Sequence, residues 1–161
     1  MLAPCGSEPT TVDVLTGCFW LLRRDAIEPI GGLDEQFFMY GEDLDLCKRL
    51  RDGHWQIVYA PAARIIHHGG ASSGDAPLRF LIELHRAQLQ YWRKHHCMIV
   101  SALYFGTLSL HNILRLIGYW LISIARRNRH IGVYRMKMER SWACLNWLMS
   151  EGVSYLTPSR P

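Results

Sequence analysis

Glu42, Asp43 and Asp45 crowd the start of a predicted helix, with Asp34 and Glu35 in the loop before it and the pair His67-His68 further along the chain. Carboxylates this dense are costly unless cations or protons meet them. A carboxylate beside a reacting hydroxyl can act as a general base, and an imidazole can ligate a metal or move a proton. Residues 43 and 45 leave one helical turn in different directions, so the two cannot share a task. At least one is expected to face a substrate, and the pattern points to an enzyme.

The elements that must hold these groups follow from the neighbouring sequence. Val12, Val14, Leu15, Cys18, Phe19, Trp20, Leu21 and Leu22 make a nearly continuous apolar run, which predicts a strand over Val12–Arg24 buried on both faces. Asp25–Glu28 predicts a short helical turn before Pro29, and Gly31-Gly32 a sharp turn needing unusual backbone angles, followed by a loop through Tyr40. Gly41–Asp52 predicts a helix: Glu42, Asp43 and Asp45 open it, Lys48, Arg49 and Arg51 close it, and Gly53 stops it, the charge order that suits the helix dipole. Strands are predicted over Trp55–Tyr59 and, after Pro61, over Ala63–His67, with His68 facing away from His67 and a flexible loop over Gly69–Gly74.

The second half is basic, apolar and helical in pattern. Pro77 starts a helix ending near His96, with Leu78, Leu81, Ile82, His85, Leu89 and Trp92 on one face. Cys97–Ala125 carries one formal charge, Arg115, and is long enough to span a bilayer. On a helical wheel Ser101, Tyr104, Asn112, Arg115, Tyr119 and Arg126 share one side, and Leu103, Leu110, Leu114, Ile117, Leu121 and Ile124 the other. An amphipathic helix lying in the membrane interface is therefore favoured over a true span. A last helix is expected over Ile131–Met149, and the Arg126-Arg127-Asn128-Arg129 cluster before it suits anionic headgroups.

At 161 residues, 49% of them hydrophobic, the chain can build a real core and is not a disordered tail. The net charge of +4 comes with no nucleic-acid motif, so a membrane surface is expected as partner and nucleic acid is not. Five cysteines at irregular spacing, without a Cys-x-x-Cys pair, indicate free thiols rather than a disulfide framework or zinc knuckle. Met1–Thr11 lacks the basic-then-apolar pattern of a signal peptide.

From Val12 to Ser73 the sequence resembles the C-terminal half of family 2 glycosyltransferases, above all bacterial rhamnosyltransferase-like enzymes of cell-surface polysaccharide synthesis. The residues that carry the resemblance are Thr16-Gly-Cys-Phe19, Leu21-Leu-Arg-Arg24, Gly31-Gly-Leu-Asp-Glu35, Phe38-Met-Tyr-Gly-Glu-Asp-Leu-Asp-Leu46, Arg49-Leu50 and His67-His-Gly-Gly-Ala-Ser72. The resemblance implies an α/β fold: the C-terminal part of a GT-A, Rossmann-like domain over residues 1–76, then a helical, membrane-associated region over 77–161. It implies inverting transfer of a sugar from a nucleoside diphosphate-sugar to a hydroxyl of a lipid-linked or cell-surface glycan at the cytoplasmic membrane face. It assigns the catalytic base to Asp43, with Glu42 orienting acceptor or base. His67 becomes a ligand of a divalent cation, Mg or Mn, that bridges the donor diphosphate. Asp34, Tyr40, Gly69, Gly70 and Ser72 become substrate contacts. Asp45, two residues past the base, is expected to pair with Arg49 at the i, i+4 spacing. The family's N-terminal half, with its nucleotide-holding βαβ units and Asp-X-Asp metal site, has no counterpart here, so the chain is expected to be a fragment.

Plainer readings compete. Glu42 and Asp43 could simply favour the helix dipole, His67 could be a satisfied strand-end histidine, and Asp34 could be a turn stabiliser. Phe37, Phe38 and Tyr40 could be core rather than a platform for a pyranose. His95-His96-Cys97 does not make a zinc site, because adjacent histidines do not easily reach one ion. In function, the alternatives are a non-catalytic membrane-associated binding module or inert remnant of such an enzyme, and a small integral membrane protein.

Overall fold

The computed structural model describes residues 8–68, 76–125 and 131–157, with the side chain of residue 131 left aside. The chain divides into two compact units, Met1–Gly74 and Asp75–Pro161.

In the first unit, β1 (Thr10–Val12) pairs antiparallel with β2 (Ile57–Tyr59), setting Thr10 opposite Tyr59 and Val12 opposite Ile57. A short helix, α1 (Arg24–Ile27), runs into a 3-10 turn at Glu28–Ile30, and α2 (Glu42–Asp52) follows the acidic loop. The core is small: Ala26, Leu46 and Leu50 are buried, with Trp20, Ile27, Ile30 and Trp55 packed round them. Arg23 adds a cation–π contact over the Trp55 ring, 5.4 Å from its centre.

Two expected strands do not form. Beyond Val12 the run through Arg23 is irregular and largely exposed, Leu21 at 96%, rather than buried on both faces. The segment over Ala63–His67 is likewise no strand, and Ile66 stands 86% exposed. A buried strand needs ladder partners on its edges; the sheet among the described residues holds just β1 and β2, of three residues each. The described structure is therefore mostly helical with a two-stranded sheet, rather than visibly α/β.

The second unit is three helices, α3 (Pro77–His95), α4 (Met98–Ala125) and α5 (Ile131–Ser150), closed by a 3-10 turn at Gly152–Leu156. Pro77 sits at the first helical turn of α3, where its missing N–H costs nothing. Leu89, Leu108, Trp147 and Leu148 form the core, with Ile82, Tyr104, Phe105 and Tyr155 against it. The Tyr104 hydroxyl donates to Gln88 Oε1 at 2.7 Å, joining α4 to α3. Arg86 Nη2 and Trp147 Nε1 both donate to Glu151 Oε2, at 2.8 and 3.1 Å, joining α3 to the end of α5.

Helix α4 is packed with its polar side inward. Ser101 and Asn112 are each 3% exposed, whereas Leu103, Leu110, Leu114, Ile117, Leu121 and Ile124 all lie in the open. At 28 residues it is long and apolar enough to cross a membrane by length and composition. Buried Asn112 satisfies its amide locally, donating to the Leu108 carbonyl at 2.9 Å.

Candidate active site

The acidic cluster is sorted by the turn that launches α2. Tyr40 and Gly41 take successive left-handed conformations, φ 65° and 79°, and the Gly41 carbonyl accepts the Asp45 amide at 2.9 Å. Glycine adopts that region freely; tyrosine does not, so Tyr40 is held there by its surroundings, a strain that tends to gather at functional sites. The Gly31-Gly32 turn is also left-handed, φ 76° at both residues, as the sequence predicts.

Asp45 turns inward and is wholly buried, its Oδ2 accepting from Arg49 Nε at 2.7 Å. The same guanidinium donates to the carbonyls of Ile30 at 2.8 Å and Gly32 at 2.7 Å. Arg49 thus ties the glycine turn to α2, and the expected i, i+4 pair is present with a structural duty.

Asp43 is half-buried and forms no ion pair among the described residues. Its Oδ1 accepts the Leu44 amide at 2.8 Å, fixing the carboxylate at the positive end of the helix. Glu42 is half-buried too, and its Oε2 is enclosed without a hydrogen-bond partner among the described residues. Burial, and then the neighbouring Asp43 charge, push the Glu42 carboxyl above its ordinary value of 4.5, against a backbone hydrogen bond that lowers it.

That shift has a sign that can be measured. The folded chain binds the Glu42 proton more tightly than the unfolded chain, so this stability is full below the unfolded value and is lost as pH rises through the folded one. Glu42→Gln is expected to raise the thermal midpoint at pH 7 by about 1–4 °C and to change it little at pH 4. Equal midpoints at pH 7 would show that the enclosed oxygen costs the fold nothing.

The other assigned residues are placed unevenly. Asp34 is half-buried and its Oδ1 accepts the Gln36 amide at 2.9 Å, the geometry of a turn stabiliser. Phe37 is buried, while Phe38 is exposed. His67 lies on the exposed irregular segment, its Nδ1 2.9 Å from Cys18 Sγ. Gly69, Gly70 and Ser72 lie outside the described residues. Among the described residues no three His, Cys, Asp or Glu side chains gather as a metal site, so His67 offers one ligand rather than a cage.

Two residues given no site role from the sequence join the pieces. A Cβ on Gly17 would stand 3.9 Å from the Asp43 Cβ, and the next residue, Cys18, touches His67. The Thr16-Gly17-Cys18 segment thus lies between the carboxylate and the imidazole. Its signal was a glycine before a cysteine inside an apolar run, which reads more simply as part of a strand.

Similarity to known proteins covers part of the chain. Over 82 residues, 51% of the chain, it is 39% identical to an N-acetylglucosaminyl-diphospho-decaprenol L-rhamnosyltransferase of Mycobacterium tuberculosis. Over 59 residues, 37% of the chain, it is 41% identical to rhamnosyltransferase WbbL of Escherichia coli. The matched stretch is rhamnosyltransferase-like. A 61-residue match at 38% identity to the O-antigen biosynthesis protein RfbC of Myxococcus xanthus, covering 38% of this chain and 5% of that protein, agrees with it. The rhamnosyltransferase-like chain spans about a quarter of the length of the first two relatives, 27% and 22%. No protein-family model matches it, and no solved structure matches it.

Proposed function

We propose that this chain carries the acceptor-side catalytic part of an inverting, GT-A-type glycosyltransferase that moves a sugar from a nucleoside diphosphate donor to a hydroxyl of a lipid-linked glycan. The observation that carries the reading is the division of labour among the acids: Arg49 claims Asp45, and Asp43 is left uncommitted beside Gly17. The relatives' names, with rhamnose as the sugar and in one case a diphospho-decaprenol acceptor, supply the substrate class.

In this mechanism the acceptor hydroxyl meets Asp43, which takes its proton as the oxygen attacks the anomeric carbon. The Leu44 amide on Oδ1 fixes the carboxylate's direction, leaving Oδ2 for the incoming hydroxyl. Glu42, with its raised proton affinity, holds the acceptor or its neighbouring hydroxyl by hydrogen bond. A divalent cation, Mg or Mn, when bound neutralises charge on the departing nucleoside diphosphate. His67 would serve as a single ligand of such an ion: Nδ1 is engaged by Cys18, and Nε2 would be the nitrogen available. The exposed apolar residues Phe19, Leu21, Leu22, Ile65 and Ile66 suit a segment that packs against further sheet in a GT-A domain.

The same proposal sets the protein on the cytoplasmic membrane face. The polar side of α4 is packed inside the second unit and the apolar side is open along its length, the reverse of a helix built for water. The charged helices α3 and α5 that cover the polar side favour α4 lying in the interface rather than crossing it. Leu110→Glu with Ile117→Glu, both exposed, should lower flotation with anionic vesicles by about a hundredfold or more, since each large apolar side chain contributes roughly 1.5–3 kcal/mol. Unchanged flotation would remove the membrane reading. Carbonate should release the wild type; retention would mean a span.

A further inference from the structure

In the second unit two cations from different helices meet at one aromatic ring. The Arg115 guanidinium of α4 lies 5.6 Å from the centre of the Tyr119 ring and donates to the Tyr119 hydroxyl at 3.5 Å. From α5, Lys137 places Nζ 5.3 Å from the centre of the same ring, and the Tyr134 ring stands 6.3 Å away. Neither cation makes an ion pair with a carboxylate among the described residues. The acid nearest in sequence to Lys137, Glu139, is held instead by Arg135 at 3.1 Å.

The surroundings bring further basic side chains. His111 lies one turn before Arg115 on α4. Burial first, and then repulsion from His111 and Arg115, holds the His85 imidazole of α3 below its ordinary value, against a Gln88 hydrogen bond that raises it. Arg115 and Lys137 bring two positive charges to one ring, and such a field favours an anion. The aromatic faces meanwhile restrict both side chains, so less freedom is lost when an anion binds.

We propose that Arg115 and Lys137, braced on Tyr119, form a binding site for a phosphate group. A guanidinium offers a planar fork of donors to phosphate oxygens, an ammonium a compact charge, and the Tyr119 hydroxyl a further donor. Two sources share this chemistry. One is the headgroup of a membrane lipid beneath α4, which needs only that helix's open apolar face. The other is the soluble diphosphate of a nucleotide, which rests on the transferase reading above.

The test measures heat of binding in the full chain during titration with inorganic pyrophosphate, and in parallel measures sedimentation with phosphatidylcholine vesicles with and without phosphatidylglycerol. Saturable binding in either arm supports the site and identifies its source. Arg115→Gln and Lys137→Gln should each weaken that binding roughly tenfold or more. Arg115→Lys should keep part of it. The proposal is overturned if the wild type gives no binding heat with pyrophosphate and phosphatidylglycerol adds no binding, or if the Arg115→Gln, Lys137→Gln double variant binds as the wild type does. Asp43→Asn should leave phosphate binding untouched, so a failure of the catalytic reading and a failure of this one are told apart.

Discussion

Asp43→Asn in the intact transferase is expected to lower the rate of sugar transfer by about 10²–10⁴-fold, the usual contribution of a positioned general base. Asparagine keeps the size of the side chain and an oxygen for the Leu44 amide, so the start of α2 should not change. What disappears is the capacity to hold the acceptor's proton. Donor affinity, measured by binding of the nucleoside diphosphate-sugar, should stay as it is, because the carboxylate acts on the acceptor. The fall should appear in kcat more than in KM. Transfer at the wild-type rate would refute the assignment, and a comparable loss of donor affinity would move Asp43 to the other substrate.

Arg49→Leu should cost about 3–5 kcal/mol, because it takes the paired cation away from a fully buried carboxylate. It also strips donors from the Ile30 and Gly32 carbonyls, which Arg49 holds at 2.8 and 2.7 Å. In a unit with so small a core, that loss is a large share of the total stability. Asp45→Asn should be milder, about 1–3 kcal/mol, since its amide oxygen still accepts from the guanidinium. The check is urea unfolding of the full chain followed by Trp55 fluorescence. If Arg49→Leu unfolds at the wild-type midpoint, the pair does not hold the glycine turn. The pair of results separates two neighbouring acids: position 45 is expected to govern folding, position 43 reaction.

Much of the local structure was legible because it rests on short-range physics. The left-handed Gly31-Gly32 turn, the bounds of α2, its charge order and the Asp45–Arg49 pair all depend on residues within a turn or two of each other. The two faces of α4 were legible for the same reason, from helical periodicity. Strands are different, because their backbone partners lie far away in sequence. The apolar run after Val12 and the segment over Ala63–His67 read as strands, yet neither finds a ladder among the described residues.

The sequence by itself determined which residue types could do chemistry, and through its motif which kind of transferase the first unit resembles. Only the tertiary structure decided how they are used. It buried Asp45 under Arg49, set Gly17 against Asp43, and brought Cys18 to His67 across 49 residues of chain. It also gathered Arg115 and Lys137 on a single ring. Periodicity fixes the direction of a side chain relative to its own helix, but the distance to a residue on another element depends on how the elements pack.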